Sequence, residues 1–222
     1  MTHNISLEQH KKAFDESMAR YEKRIIVCAG TGCVANGSLD IYEKFKEIIA
    51  GKGLTVAVTT NKEEANYIIS ESGCQGFCQM GPLVTIYPQG ILYTKVQVDD
   101  VEEIVSKTII NDEVIERLLY LSPDGGTHEV DTKHIPFYKK QHRMELKLCG
   151  CIDAQDIDEY IANGGYKMAR KAFLEMNGEE ICNLILESGL RGRGGGGFPT
   201  GRKWELTRTQ KNEVKYIICN GD

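Results

Sequence analysis

RIIVCAGTGC, residues Arg24–Cys33, runs a short apolar stretch of β-branched residues straight into a turn of small residues bracketed by two cysteines. Branched side chains favour extended backbone, and a run this short that ends in glycines is expected to be a buried strand. The next stretch, GSLDIYEKFKEIIAGKG at 37–53, has the helical period. Leu39, Tyr42, Phe45 and Ile49 share one face, Ser38 is placed as N-cap, and glycines close the end. A second strand is expected in LTVAVTT at 54–60 and a third in NYIISES at 66–72. LVTIYPQGILYTKV at 83–96 has the form of a hairpin turning at Pro88, Gln89 and Gly90. VDDVEEIVSKTII at 98–110 is expected to be a short helix with Val101, Ile104 and Val105 inward. Strand, helix, strands, helix within about ninety residues describes a small α/β domain, bounded at roughly 20 and 112.

Upstream, residues 1–19 have a polar helical pattern with Ser6 and Gln9 set as a capping box, unlike a signal peptide, which needs a basic start and a continuous apolar run. Residues 113–150 are rich in turn formers and charge and are expected to be a connector, with His128, His134 and His142 in solvent or in local hydrogen bonds. From 151 to 222 come two or three helical stretches, a glycine cluster, and a terminal apolar run, KYIIC at 215–219, expected to be a strand. A lone strand has no hydrogen-bond partners. Residues 151–222 are therefore expected to be the first part of a domain that continues in a longer chain.

The 222 residues carry 41% apolar side chains and a net charge of −5 without long single-sign blocks. That is enough for one large core or two small ones, and it supplies no basic field for nucleic acid. No window approaches eighteen consecutive apolar residues, so no membrane insertion is expected and the cytoplasm is the expected compartment. There, eight cysteines point to metal ligands or free thiols more than to disulfides.

Four of those cysteines form two pairs, C-x4-C at Cys28 and Cys33 and C-x3-C at Cys74 and Cys78, each in a loop of small residues. Glycines let backbone amides approach thiolate sulfur, which stabilises an anionic centre and raises its potential. The pairs suit an iron–sulfur cluster. Spacing alone also leaves structural zinc and free thiols open. The other four are expected to be free: Cys149 and Cys151 form a C-x-C pair, Cys182 lies on an apolar helix face, and Cys219 lies in the terminal strand.

SGLRGRGGGGFPTGRKWE, Ser188–Glu205, holds seven glycines in eighteen residues. Gly192, Gly194 and Gly197 satisfy G-x-G-x-x-G, but a dinucleotide fingerprint follows a strand and opens a helix, whereas this one follows a helix. A P-loop fails because Gly201 is followed by Arg202 and not by lysine with serine or threonine. A flexible spacer fits poorly with interleaved arginines, Phe-Pro and Lys-Trp. Bare backbone around a flat, phosphorylated ligand fits best, with glycine amides as an anion nest, Arg193 and Lys203 as charge, and Phe198 as an aromatic face.

Residues 20–112 resemble the thioredoxin-like [2Fe-2S] ferredoxin domain of the small subunit in the NADH-oxidising module of respiratory complex I. The resemblance implies that Cys28, Cys33, Cys74 and Cys78 are the cluster ligands. GLRGRGGGGFPTG, KWE and KYIICNGD resemble the FMN and NADH site of the complex I flavin subunit and of the diaphorase subunits of NAD-linked hydrogenases and formate dehydrogenases. By that resemblance Gly192, Arg193, Gly194, Gly195, Gly196 and Gly197 form the loop beneath flavin and dinucleotide. Phe198 stacks against NADH, Lys203 contacts the flavin, and Asn220 and Asp222 open the next binding segment. Arg202 departs from the family, which more often has an aliphatic residue there.

Both domains on one chain resemble the fused flavoprotein subunits of NAD-dependent iron hydrogenases, a group that includes electron-bifurcating enzymes. The resemblance implies an NADH:acceptor oxidoreductase subunit that passes electrons through iron–sulfur clusters to partner subunits of a hydrogenase or formate dehydrogenase. It also implies a [4Fe-4S] cluster downstream of residue 222. No side-chain acid, base or nucleophile is expected for hydride transfer. Two other functions compete: a one-electron [2Fe-2S] carrier, should the chain end at Asp222, and a zinc-bound assembly module.

Overall fold

A computed structural model describes residues 6–58, 65–123, 126–218 and 220. Its contacts divide the chain into two units, 1–164 and 165–222.

In the first unit, α1 (Leu7–Met18) is capped by Ser6, whose side chain accepts from the Gln9 amide at 3.2 Å. β1 (Lys23–Cys28) is buried along almost its whole length and delivers Cys28 to its carboxyl end. The turn after it winds into a short helix, α2 (Thr31–Ala35), which carries Cys33. The next helix, α3 (Ser38–Gly51), differs from expectation at its start. Its cap is Gly37, left-handed at φ 87°, and Ser38 lies inside the helix with a buried hydroxyl. The buried face also lies one stripe round from expectation: Ile41 joins Tyr42, Phe45 and Ile49 in the core while Leu39 is 40% exposed.

β2 is two residues, Val56–Ala57, and the end of the expected strand, 59–60, lies outside the described residues. β3 (Tyr67–Ser72), β4 (Val84–Tyr87) and β5 (Ile91–Tyr93) follow as expected, with the hairpin turning at Pro88–Gly90. The sheet order is β2-β3-β1-β4-β5. β1 is parallel to β3 and antiparallel to β4, so the first strand is the middle of the sheet. After β5, α4 (Val101–Glu103) widens into a π-helical stretch, Ile104–Ile110, and Val101, Ile104, Val105 and Ile109 pack with α3 residues in the main core.

The segment expected as a connector contributes to the cores. Ile115, Leu118 and Leu119 join the main one, a two-stranded ribbon forms from β6 (Tyr120–Leu121) and β7 (His128–Glu129), and α5 (Pro136–Lys139) brings Ile135 to a second one. Turn formers mark where this segment bends, and the isolated apolar residues between bends have no period by which to announce their burial. α6 (Ile157–Ala162), capped by Asp156, returns to the sheet: Glu159 receives both terminal nitrogens of Arg24, one at 2.7 Å, and also accepts the Asp153 amide at 2.8 Å. Both partners of this ion pair are buried, so neither can be removed alone at low cost.

The second unit is helical among its described residues: α7 (Lys167–Glu175), α8 (Gly178–Glu187) and α9 (Thr200–Arg208). Asn177 and Glu180 form a reciprocal capping box on α8. Among the described residues the strand expected at 215–219 is not formed: Tyr216, Ile217 and Ile218 are 86% to 94% exposed, and the described residues of this unit supply no neighbouring strand for ladder hydrogen bonds. Cys219 and Asp222 lie outside the described residues, and Asn220 is described.

Candidate functional site

The first site is built where two loops meet at one end of the sheet. Cys28 ends β1, Cys33 sits in α2, and the loop after β3 carries Cys74 and Cys78. Parallel pairing of β1 with β3 brings these loops out on the same side, because Cys28 and Ser72 are register partners. Cys28 interacts with Cys33 and with Cys74, Cys74 faces Cys78 with sulfurs 3.8 Å apart, and Cys78 acts electrostatically on Cys33. All four expected cysteines are therefore together. A separation of 3.8 Å is the edge of a thiolate tetrahedron with metal–sulfur bonds of about 2.3 Å.

Glycines allow that approach. A Cβ on Gly30 would stand 2.7 Å from Cβ of Cys74 and 2.9 Å from its sulfur, and one on Gly81 would stand 2.6 Å from the sulfur of Cys33. Gly32 faces Cys78 at 3.4 Å. Backbone amides reach the sulfurs too: Gly76 donates to Cys74 at 3.3 Å, and Gln75 and Gly30 donate to Cys28. The hydrogen bond from Cys33, the largest influence, and these donors push the Cys28 thiol down to about 6 against the effect of burial. The same hydrogen bond pushes Cys33 up, followed by burial. Amide donors at Cys28 and Cys74 and four sulfurs held in glycine-rich loops fit an anionic cluster. Among the described residues no group of three or more histidine, cysteine or carboxylate side chains is drawn tightly enough to hold one metal ion. The strongest links pair Cys28 with Cys33 and Cys74 with Cys78, and a weaker one joins Cys28 to Cys74.

An aromatic group that sequence reasoning missed covers the cysteine loop. Phe77, between Cys74 and Cys78, stacks on Phe137 with centroids 4.5 Å apart and meets Tyr138 and Tyr120 at 5.5 and 5.4 Å. Cys28, Cys33, Phe77 and Ile135 share one apolar cluster. The available signal was the Phe-Tyr pair inside HIPFYKK, apolar rings in an otherwise polar segment.

The second site is the glycine loop. It lies between α8 and α9, with helices on both sides, and its base is closed by the Thr200 amide donating to Leu190 at 2.9 Å and the Gly192 amide donating to Phe198 at 2.9 Å. Arg191 and Pro199 pair across the base, and the Arg191 guanidinium donates to the Gly197 carbonyl at 3.3 Å. Gly195 and Gly197 are left-handed, at φ 97° and 59°, where other residues are strained. Gly194 and Gly196 have ordinary φ, and a Cβ on either would meet nothing within 4 Å. Internal packing gives no reason for those two to be glycine. Gly201 is different: a Cβ there would lie 2.4 Å from the Leu186 amide, so it serves the contact between α9 and α8. Phe198 is 48% exposed beside the loop, and Lys203 is exposed on the first turn of α9.

Four sulfurs in paired loops at the end of a mixed sheet, in a chain whose family match is a [2Fe-2S] ferredoxin, make this an iron–sulfur protein by class. Residues 14–109 match the thioredoxin-like [2Fe-2S] ferredoxin model, and a 2Fe-2S ferredoxin of Clostridium pasteurianum is 40% identical over 86 residues, 39% of this chain and 76% of that protein. The chain belongs to the thioredoxin-like [2Fe-2S] ferredoxin family, and its residues 185–222 match the Nuo51 FMN-binding domain. The HndC subunit of an NADP-reducing hydrogenase from Solidesulfovibrio fructosivorans is 49% identical over 84 residues, 38% of this chain and 17% of that protein. The F subunit of an NADH-quinone oxidoreductase from Aquifex aeolicus is 52% identical over 79 residues, 36% of this chain and 18% of that protein. The matched segments thus span less than a fifth of those two relatives. Among the described residues no helix is long and apolar enough to cross a membrane.

Proposed function

We propose that this chain is the electron-accepting part of a nicotinamide-dependent flavoprotein subunit, in which a [2Fe-2S] cluster held by Cys28, Cys33, Cys74 and Cys78 receives electrons from an FMN site begun by the glycine loop. The observation that carries the proposal is the meeting of the four cysteines across loops in which Gly30 and Gly81 admit no side chain. Pairwise thiol contacts suit a centre with two irons, each taking two protein sulfurs. Flavin, when bound, supplies hydride exchange with the nicotinamide and one-electron transfer onward.

The chain's own groups bind and orient. Gly194 and Gly196 leave the backbone open to a flat ring system, Arg193 and Lys203 bring positive charge to phosphate, Phe198 offers its face to the nicotinamide, and Asn220 and Asp222 begin the following segment. The loop's closed base holds its tip ready before the ligand arrives. The proposed setting is cytoplasmic, with electrons passing to iron–sulfur partner subunits of a hydrogenase or formate dehydrogenase; the likeness to a subunit of an NADP-reducing hydrogenase supports the former.

The test is an anaerobic preparation of the native protein assayed for [2Fe-2S] absorption, flavin content, and oxidation of NADH and of NADPH with an artificial acceptor. Replacing Arg193 and Lys203 together by alanine is expected to lower that activity by about tenfold to a hundredfold, the equivalent of about 1.5–3 kcal/mol for a lost charge-assisted hydrogen bond. The cluster spectrum should be unchanged. Undiminished activity would overturn the loop assignment. A second function, one-electron carrier, is favoured by the 76% coverage of the clostridial ferredoxin and predicts the cluster spectrum with neither flavin nor nicotinamide oxidation. A colourless protein containing zinc would sink both.

A further inference from the structure

Tyr138 stands in the segment after the family's ferredoxin match, on α5, yet it packs against the apolar cluster that contains Cys28 and Cys33. Its ring meets Phe77 edge-on at 5.5 Å and Phe137 edge-on at 5.2 Å, so two neighbours fix its orientation. Its hydroxyl is sealed from solvent and has no hydrogen-bond partner among the described residues. A buried hydroxyl left unpaired costs about 1–3 kcal/mol, and a phenol in that position ordinarily has an acceptor. Burial pushes the hydroxyl's pKa up, Arg143 opposes, and charge on Cys28, Cys74 and Cys33 adds to the rise. The described residues supply no acceptor, and a [2Fe-2S] centre bound at Cys28 and Cys33 would bring sulfide of its own beside this apolar cluster.

We propose that Tyr138 belongs to the cluster site, donating its hydroxyl hydrogen bond to sulfur of the [2Fe-2S] centre. The inference rests on the four-cysteine assignment above. Donation to sulfur favours the more negative, reduced state and raises the potential. α5 would then be the part of the chain that sets the potential of a cluster whose ligands all come from elsewhere.

The experiment compares the complete protein with its Tyr138→Phe variant, which keeps the ring and both edge contacts, and with Tyr120→Phe, which removes a hydroxyl from the same aromatic group. Midpoint potentials are read by titration followed by electron paramagnetic resonance, and exchangeable protons coupled to the reduced cluster by electron–nuclear double resonance in ordinary and heavy water. In Tyr138→Phe the ratio of reduced to oxidised cluster at fixed poise should fall by about tenfold, which is about 59 mV for a one-electron couple. One exchangeable proton coupling should disappear, and Tyr120→Phe should change neither. An unchanged potential and proton spectrum in a variant that holds its cluster overturns the role of Tyr138 and leaves the ligand assignment intact. Absence of the cluster from the wild-type protein overturns both.

Discussion

Gly30 and Gly81 carry a constraint that no neighbouring atom can relieve cheaply, because the closest contacts of an added methyl are the cysteines themselves. Alanine at either is expected to push the two cysteine loops apart and abolish cluster absorbance, while the sheet remains folded by circular dichroism. Gly51→Ala is the control: it meets nothing within 4 Å at the end of α3 and should leave the cluster unchanged. Glu159→Ala strands the Arg24 guanidinium in a buried place and should cost about 3–5 kcal/mol in denaturant unfolding, with most of it recovered when Arg24→Met is added. The meeting of the four cysteines was legible in the sequence because paired spacing and small residues are local signals. Glu159 and Tyr138 were not, since each acquires its role from partners distant in the chain, Arg24 for the one and Phe77 for the other.

Among elements, α3 shows how little separates a correct helix from a correct face. Its limits were readable from the glycines, the left-handed φ at Gly37 turning the chain into it, but which of two adjacent apolar stripes is buried depends on what the helix packs against. The buried consequence is Tyr42. Burial, then the charges of Glu71, Asp153 and Glu43, push its phenol up to about 12 from an ordinary value near 10. A group whose folded value is raised gives stability that is complete below the unfolded value and lost as pH climbs through the folded one. Stability should therefore decline between about pH 10 and 12, and Tyr42→Phe should flatten that part of a melting-temperature profile. The run from Val214 was readable as extended and apolar, but a strand is a property of two segments, and the second unit's described residues supply only one.

At the scale of the molecule, each compact unit carries one of the two sites: the cysteines lie within 1–164 and the glycine loop within 165–222. Residues 1–164 expressed alone are expected to take up the cluster and show its absorption without flavin. Truncation at 112 should give a less stable product, because Ile115, Leu118, Leu119 and Ile135 leave the cores. The alternation of strands and helices up to 112 is legible in the sequence, because each of those elements carries its own period. How much of the next segment packs into the same unit is not, because its core residues arrive singly between turns.

The first strand occupies the middle of the sheet, and its two neighbours are made later. On the ribosome, Cys28 and Cys33 therefore emerge about forty residues before Cys74 and Cys78, which at about 5–20 residues per second is an interval of roughly two to eight seconds. During it two thiols are exposed with nothing to hold, so cluster delivery must wait for β3 and β4, and oxygen reaching the nascent chain has its opportunity before the machinery that would insert iron.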